Sequence, residues 1–232
     1  MNIGVLVALV LALVAPARVP DDAVSRSVLT PDGPAFHYRY DGHRLAVRAE
    51  RSTGRGEPNR REVVVPAGSR PTRDQTSCAT WVRQSAWRVQ PGLAVRVRDD
   101  GQRVRAVTVT KNVVWGVQTV MNVLTWDTDR RGPAWRSVGQ FDLARVLLTG
   151  HRRLAPLPWR ACLRVQGRQV SFLVWPLGRV ARPSWSDHAY VRHARLPRSF
   201  GHAGRPGWYV GHVPAGGDVV FGGLRTGGPG RG

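Results

Sequence analysis

The stretch LAVRVRDDGQRVRAVTVT, residues 93–110, decides the fold class. Apolar and polar residues alternate with a period of two on both sides of the turn residues 99–102, and valine and threonine dominate the second half. Because successive side chains of a β-strand point to opposite faces, this pattern predicts two antiparallel strands joined by a short turn.

Two further hairpins are predicted outward from this stretch. The first joins residues 36–40 to residues 44–48 through a type I′ turn at Asp41-Gly42, and the second joins residues 160–166 to residues 169–175. Short strands that recur every eight to twelve residues or so, separated by glycine and proline turns, are typical of a β-sandwich or a barrel. The uneven strands and long loops favour the sandwich.

Helical periodicity is almost absent from the chain. Residues 141–148 fit either a short helix that begins at Asp142 or another strand. We therefore predict an all-β fold, an antiparallel β-sandwich with little helix.

One hairpin also carries a resemblance to a known family. Trp159–Trp175 resembles the W-x-x-x-x-V-x-G-x-x-φ-x-φ-W hairpin of concanavalin A-like lectin/glucanase jelly rolls, especially laminin-G-like and 3-keto-disaccharide-hydrolase-like domains. Residues 204–211 and 219–224 resemble the last two strands of such domains. The resemblance covers residues 79–226 and implies a jelly-roll fold, most similar to that of uncharacterised secreted proteins in high-G+C bacteria. Its motifs are mostly structural, so they imply little about function.

The N-terminus is typical of an export signal. An apolar run from Ile3 to Val14 ends at Ala15-Pro16-Ala17, which predicts a secretory signal peptide at residues 1–17 and a secreted or extracellular protein. An uncleaved anchor and a mis-chosen start codon remain alternatives, because no lysine or arginine precedes the run. We then expect an extended polar lead-in at 18–34, one domain at 35–226 and a flexible tail at 227–232.

The chain contains two cysteines, both after the predicted signal peptide. Cys78 and Cys162 most simply form one disulfide in an oxidising compartment, where the closed loop would stabilise the fold by roughly 4 kcal/mol. Two buried thiols are the alternative, and a catalytic thiol is disfavoured because no histidine is near either cysteine in the sequence.

The net charge of +20 is typical at first sight of a nucleic-acid-binding protein. However, the chain has a single lysine, Lys111, and its arginines alternate with valine and leucine along the predicted strands instead of clustering. Together with the scarcity of isoleucine and asparagine, this composition indicates a genome of high G+C content. We expect no specific nucleic-acid partner, although the charge would attract anionic surfaces in a salt-dependent way.

Acidic residues are too few for the glycosidase chemistry of the resembled family. Laminarinase-type enzymes use a Glu-x-Asp-x-x-Glu strand, and Glu62 is the last glutamate of this chain. Asp127, Asp129 and His188 remain as candidate catalytic residues, with the two aspartates more simply explained as turn residues paired with arginine. We expect no cofactor; for calcium, whose ligands are oxygens, the candidates are Asn112, Asn122, Asp127 and Asp129.

Nine tryptophans are the remaining functional signal. Exposed indole rings can stack on the C–H faces of sugars, and Trp135 and Trp185 lie in polar loops flanked by proline or glycine. We predict these two as ligand-binding residues, with Tyr190 and Trp208 behind them.

Three functions follow from the sequence. The first is a non-catalytic carbohydrate-binding module that recognises glycans or cell-envelope polysaccharide. The second is a glycan-acting hydrolase of the keto-disaccharide-hydrolase-like group. The third is a structural envelope protein held on anionic surfaces by its arginines. The oligomeric state stays open.

Overall fold

The structure is a computed structural model that describes residues 23–51, 59–114 and 117–227. Within these ranges the chain forms two antiparallel seven-stranded sheets and a single four-residue α-helix, which confirms the predicted β-sandwich with little helix. The predicted signal peptide and residues 228–232 of the predicted tail lie outside the described residues. Across the three ranges, no helix has the length and apolar character needed to span a bilayer.

The elements follow one another as fourteen strands with one helix after the ninth. In chain order they are β1 (Val24–Thr30), β2 (Phe36–Tyr40), β3 (Arg44–Ala49), β4 (Arg61–Pro66), β5 (Gln75–Gln84), β6 (Gln90–Asp99), β7 (Val104–Val114), β8 (Val117–Asp127), β9 (Trp135–Asp142), α1 (Ala144–Leu147), β10 (Trp159–Gln166), β11 (Gln169–Pro176), β12 (Arg192–Arg195), β13 (Arg205–Gly211) and β14 (Asp218–Gly227).

The front sheet has the order β1-β4-β13-β6-β7-β8-β9, and the back sheet has the order β12-β11-β10-β5-β14-β3-β2. The last two strands of the chain therefore lie inside the sheets: β13 pairs with β4 and β6, and β14 pairs with β3 and β5.

The main core lies between the two sheets. Alternate residues of the strands point inward, and the largest of them are fully buried, as the period-two pattern predicts. Trp81 and Trp159 of the back sheet pack at 6.2 Å between ring centroids, and Trp208 of the front sheet packs against Tyr40 at 5.6 Å. These rings account for several of the nine tryptophans.

All three predicted hairpins are present, but the first turn differs by one residue. A hydrogen bond from Asp41 N to Arg44 O closes a two-residue loop of Gly42 and His43, in which only Gly42 has a positive φ, +88°. A type I′ turn needs a positive φ at both central residues, so the predicted type I′ turn at Asp41-Gly42 is wrong. Asp41 instead accepts hydrogen bonds at Oδ1 from His43 N and Arg44 N.

The segment predicted as an extended lead-in contains a strand of the front sheet. Val24–Thr30 pairs along β4, where Leu29 is buried.

Residues 141–148, for which the sequence left helix and strand open, contain the end of β9 and the helix α1. Asp142 is the last residue of β9. Its carboxylate Oδ1 accepts hydrogen bonds from Thr119 Oγ1 at 2.6 Å and from Ala144 N at 2.9 Å, next to the start of α1.

A buried arginine ties several loops to the front sheet. Arg96 lies at a bulge of β6 with φ +53° and has no exposed surface. Its guanidinium donates to the carbonyl oxygens of Arg73, Phe200 and Gly167 at 2.9, 2.5 and 2.5 Å, and its backbone N donates to Gln75 Oε1 at 2.9 Å. One side chain thereby joins four separate parts of the chain.

The single lysine is also buried. Lys111 is 1% exposed and pairs across the sheet with the core residue Met121. Its Nζ donates to the carbonyl oxygen of Trp87 at 2.9 Å, and burial lowers the pKa of Lys111 to about 8. The folded state therefore binds this proton more weakly than the unfolded chain does.

Replacing Lys111 by methionine should stabilise the protein at neutral pH. Because the unfolded state binds more protons between the folded and unfolded pKa values, wild-type stability rises with pH in that window, and the advantage of Lys111→Met should shrink by about 2 kcal/mol from about pH 7 to pH 10. Urea unfolding of both proteins at the two pH values measures this. An advantage that does not depend on pH would contradict the assigned pKa.

Candidate functional site

A polar row crosses the outer face of the front sheet, here called the front face. Tyr209, Gly92, Thr110, Asn122 and Gln140 are successive cross-strand partners on β13, β6, β7, β8 and β9. Directly paired residues of neighbouring strands point to the same side of a sheet. The five residues therefore form one line on the side away from the main core.

Long side chains extend across the strands of the front face. Trp126 on β8 lies 5.9 Å from Tyr209 on β13 between ring centroids, and the guanidinium of Arg61 on β4 lies 5.9 Å from the Trp126 ring. Strands β4 and β8 are four positions apart, which is about 19 Å in a flat sheet. The three side chains therefore lie along the sheet and cover its middle strands.

Small residues lie beneath these rings on the front sheet. Ala94 and Ala106 point to the front face and have no exposed surface, and they belong to a second apolar cluster with Trp126 and Tyr209. A Cβ on Gly92 would come within 3.1 Å of the Tyr209 ring. The aromatic side chains therefore lie flat along the sheet, and burial raises the pKa of Tyr209 above its ordinary value.

Four amides lie beside the buried rings and are here called the amide strip: Gln90, Asn112, Asn122 and Gln140. Gln90 Nε2 donates to Asn112 Oδ1 at 3.1 Å. Asn122 Oδ1 is buried without a hydrogen-bond partner among the described residues, and Gln140 is exposed. Each amide offers both a donor and an acceptor, which suits hydroxyl groups that do the same.

Trp135 lies at one end of the front face. It pairs across the sheet with Trp126, and it is 40% exposed whereas Trp126 is fully buried. Trp126 is held by a hydrogen bond from its Nε1 to Thr108 Oγ1 at 2.9 Å. The exposed ring of Trp135 thus rests beside a fixed neighbour, and its role in binding stays a prediction.

Polar side chains lie at the opposite edge of the front face. Arg61 Nη2 is 2.8 Å from His212 Nε2, and both residues are half-buried. Arg61 pairs across the sheet with Gly211, whose Cβ, if present, would lie 2.6 Å from the Tyr209 hydroxyl. The front face therefore offers a cation, an imidazole, amides and an exposed indole ring.

The other predicted binding residues do not join Trp135. Trp208 is fully buried between the sheets, so the prediction that it forms an exposed platform is wrong: its position in β13 turns it inward while Tyr209 turns outward. Trp185 and Tyr190 lie on the opposite side of the sandwich. There they pack on the outer face of the back sheet, against the cluster that contains Cys78 and Cys162.

The two cysteines form the predicted disulfide, joining directly paired positions of β5 and β10. The described residues contain no free cysteine, so the alternatives of buried or catalytic thiols are excluded.

The candidate catalytic residues Asp127, Asp129 and His188 have different surroundings in the structure. Asp127 receives two hydrogen bonds from Arg103, at 2.7 Å from Nε and 2.5 Å from Nη2, and these hold the pKa of that carboxyl below its ordinary value. This confirms the interpretation of Asp127 as an aspartate paired with arginine. Asp129 is exposed in the turn after β8, and His188 is exposed in the loop before β12. The three do not form a common site.

Metal ligands are likewise dispersed. Asn112 and Asn122 both point to the front face, whereas Asp127 is paired with Arg103. In the part of the chain that the structure describes, no three residues among His, Cys, Asp and Glu come together as a metal site.

A serine and a histidine meet on the back sheet. Ser171 Oγ lies 2.9 Å from His193 Nδ1, but Ser171 is only 3% exposed and Gln169 Nε2 occupies the same ring nitrogen at 3.2 Å. Within the described ranges no carboxylate pairs with His193. A hydrolytic pair needs an accessible nucleophile and an oriented base, so this contact does not favour the hydrolase hypothesis.

Several residues of the front face were not predicted to bind. The sequence analysis did not predict Gln90, Gln140 or Arg61 as binding residues. Period-two alternation could have placed Asn122 and Trp126 on one face of β8. It could not have shown which strands lie beside β8, because strand order depends on contacts between distant parts of the chain.

Comparisons with known proteins show the fold alone. No family model matches the chain, and no curated protein matches it. Among solved structures, the chain is similar to a protein of unknown function with a galectin-like fold from Bacillus subtilis, with 11% identity, a TM-score of 0.53 and coverage of 91% of this chain and 92% of that one.

Two further solved structures have lower TM-scores. The carbohydrate-binding module CBM66 from Bacillus subtilis has 10% identity and a TM-score of 0.49, with coverage of 87% of this chain and 94% of that one. The exoplasmic/lumenal domain of VIP36, in a form bound to Ca2+ and Man3GlcNAc, has 9% identity and a TM-score of 0.47, with coverage of 90% and 85%.

Proposed function

We propose that this protein is a secreted or cell-surface, non-catalytic carbohydrate-binding module of the concanavalin A-like class, and that the front face binds the glycan. The observation that carries the proposal is the amide strip on the front face, where Asn122 Oδ1 is buried and has no described partner. A buried acceptor without a partner costs free energy, which a ligand hydroxyl would recover.

The composition of the front face supports a sugar over an apolar ligand. Binding sites for small molecules combine apolar surface with a few polar groups that fix orientation. Here Gln140 and Asn122 supply paired donors and acceptors, while Trp135 supplies an exposed ring for a C–H face. Asn122 and Trp126, the partner of Trp135, are four residues apart on β8, or about 13 Å, so a ligand of more than one sugar ring would contact both ends.

The proposed location rests on the disulfide. Disulfides such as Cys78–Cys162 persist in oxidising compartments and are rare in cytosolic proteins. It supports export, as the apolar N-terminal run predicts.

Substitutions on the front face should weaken glycan binding without unfolding the protein. A glycan array would identify a neutral oligosaccharide, and titration calorimetry would then compare Asn122→Ala, Gln140→Ala and Trp135→Ala with the wild type. We expect each to weaken binding by about tenfold, since each removes contacts worth about 1.4 kcal/mol.

Trp87→Ala provides the matched control. Trp87 is 45% exposed, similar to Trp135, but it lies in the turn between β5 and β6 and not on β9. Its removal should leave the affinity unchanged. If Trp87→Ala weakened binding as much as Trp135→Ala, or if none of the front-face variants did, the front face would not be the binding surface.

A further inference from the structure

The outer face of the back sheet, here called the back face, carries arginines around the disulfide. Arg160, Cys162 and Arg164 alternate along β10 and point outward, because the intervening Ala161 and Leu163 belong to the main core. Arg225 on β14 is the cross-strand partner of Cys78. The disulfide is therefore flanked by cations along the strand and across the sheet.

Arg160 is anchored but not neutralised. Its Nη1 donates to Thr80 Oγ1 at 3.0 Å and to the carbonyl oxygen of Gly223 at 3.2 Å. Burial, followed by the charges of Arg225 and Arg182, lowers its pKa below the ordinary arginine value. The positive charges of Arg225 and Arg182 therefore add to the cost of keeping Arg160 charged.

Arg164 is fixed by an aromatic ring. Its guanidinium carbon lies 4.2 Å from the centre of the Trp185 ring, and its Nε is buried without a hydrogen-bond partner in the described structure. Trp185 in turn packs on the disulfide cluster. Stacking on Trp185 restricts the guanidinium, so an incoming anion would meet a donor that is already oriented.

No acidic residue compensates this group of arginines. Within the described ranges, the ion pairs of the protein involve other arginines, and no carboxylate lies within 4.0 Å of Arg160, Arg164, Arg182 or Arg225. Like charges held together without counter-charges are costly in the free protein, and that cost is recovered when an anion binds.

We propose that the back face is a second binding surface, which takes the carboxylate or sulfate groups of an acidic polysaccharide. Arg160 and Arg164 are four residues apart on one strand, about 13 Å, so a single small anion could not reach both. A chain with repeated charges can. Guanidinium groups suit carboxylate and sulfate because their planar donors pair with two oxygens at once.

Other polyanions fit this face less well. Arg164 covers one face of Trp185 and the ring also packs on the disulfide cluster, so it has little free surface for the base stacking that single-stranded nucleic acids use. Among the described residues of the segment between β11 and β12, Leu177 is the only large apolar side chain that is exposed. This segment therefore offers little apolar surface for insertion into a membrane.

The test uses the full chain and polysaccharides of known charge. Binding of dextran sulfate and polygalacturonate would be measured by calorimetry at physiological ionic strength, with uncharged dextran and inorganic sulfate as reference probes. For Arg160→Gln/Arg164→Gln we expect affinity for the acidic polysaccharides to fall by about tenfold or more, with inorganic sulfate binding far more weakly than either polymer.

Arg98→Gln/Arg136→Gln is the matched control, since it removes the same charge from exposed positions on β6 and β9 of the front sheet. It should change affinity by less than about threefold. Equal losses in the two double variants would overturn the proposal, because binding would then follow net charge alone. Should Arg160→Gln/Arg164→Gln fail to fold, Arg182→Gln/Arg225→Gln, at exposed positions with no recorded side-chain hydrogen bond, must show the selective loss instead.

Two further arms separate this surface from its alternatives. Double-stranded DNA and vesicles of anionic phospholipid should bind only as strongly as the net charge of the protein dictates. If either bound more tightly than this, and if that binding depended on Arg160 and Arg164, the choice of polysaccharide would be overturned. Asn122→Ala should leave acidic polysaccharide binding intact, and Arg160→Gln/Arg164→Gln should leave neutral glycan binding intact. The two surfaces can therefore fail independently.

Discussion

Replacing Arg96 by methionine should lower the free energy of unfolding by about 4 kcal/mol, one of the largest single effects available in this chain. The substitution keeps most of the side-chain volume but removes the hydrogen bonds to the carbonyl oxygens of Arg73, Gly167 and Phe200. Hydrogen bonds to charged groups contribute more than neutral ones, and the orphaned carbonyls would remain partly buried. Urea denaturation at equilibrium measures the change.

Arg98→Met is the natural control. Arg98 is exposed two residues further along β6, so the same change of chemistry should alter stability by less than about 0.5 kcal/mol. A similar loss in both variants would show that Arg96 contributes only general charge. A loss below about 1 kcal/mol for Arg96→Met would show that water replaces its hydrogen bonds at no cost.

Removing the disulfide should have an effect of similar size. Cys78 and Cys162 are 84 residues apart in sequence, and closing such a loop restricts the unfolded chain enough to contribute about 4 kcal/mol. Alanine at both positions should lower the urea midpoint accordingly. Alanine is preferred to serine because both half-cystines lie in an apolar cluster, where a hydroxyl would add a cost of its own.

A reductant provides the internal comparison. Wild-type protein unfolded in the presence of dithiothreitol should approach the stability of Cys78→Ala/Cys162→Ala, and the double variant should not respond to the reductant. A wild-type midpoint that is the same with and without reductant would contradict the contribution assigned to this bond.

Local patterns predicted the hairpins well because both halves of a hairpin are adjacent in sequence. The alternation in residues 93–110 predicts β6 and β7, although it does not show the bulge at Arg96, which places Val95 and Val97 on opposite faces. Two cysteines in a chain that is expected to be exported are enough to predict a bond between them. The same reasoning missed β1, since its short polar sequence is stabilised by β4, more than thirty residues away.

The candidate site was harder to predict because it depends on which face of each strand is outward. Trp208 and Tyr209 are neighbours in the sequence, and we predicted that Trp208 contacts the ligand, yet the register of β13 buries it in the main core. Trp135 and Trp185 both carry the signals of surface residues, but they lie on opposite sides of the sandwich. Only the order of strands within the sheets separates them.

That order also governs how the chain can be made. Since β13 and β14 complete the middle of their sheets, a nascent chain still on the ribosome holds β4 apart from β6 and β3 apart from β5 until its final residues emerge. Long-range pairing of this kind is slow, and unpaired strand edges invite aggregation while they wait. Neither sheet can therefore be completed before β13 and β14 have been synthesised, and we expect the nascent chain to need protection from aggregation until then.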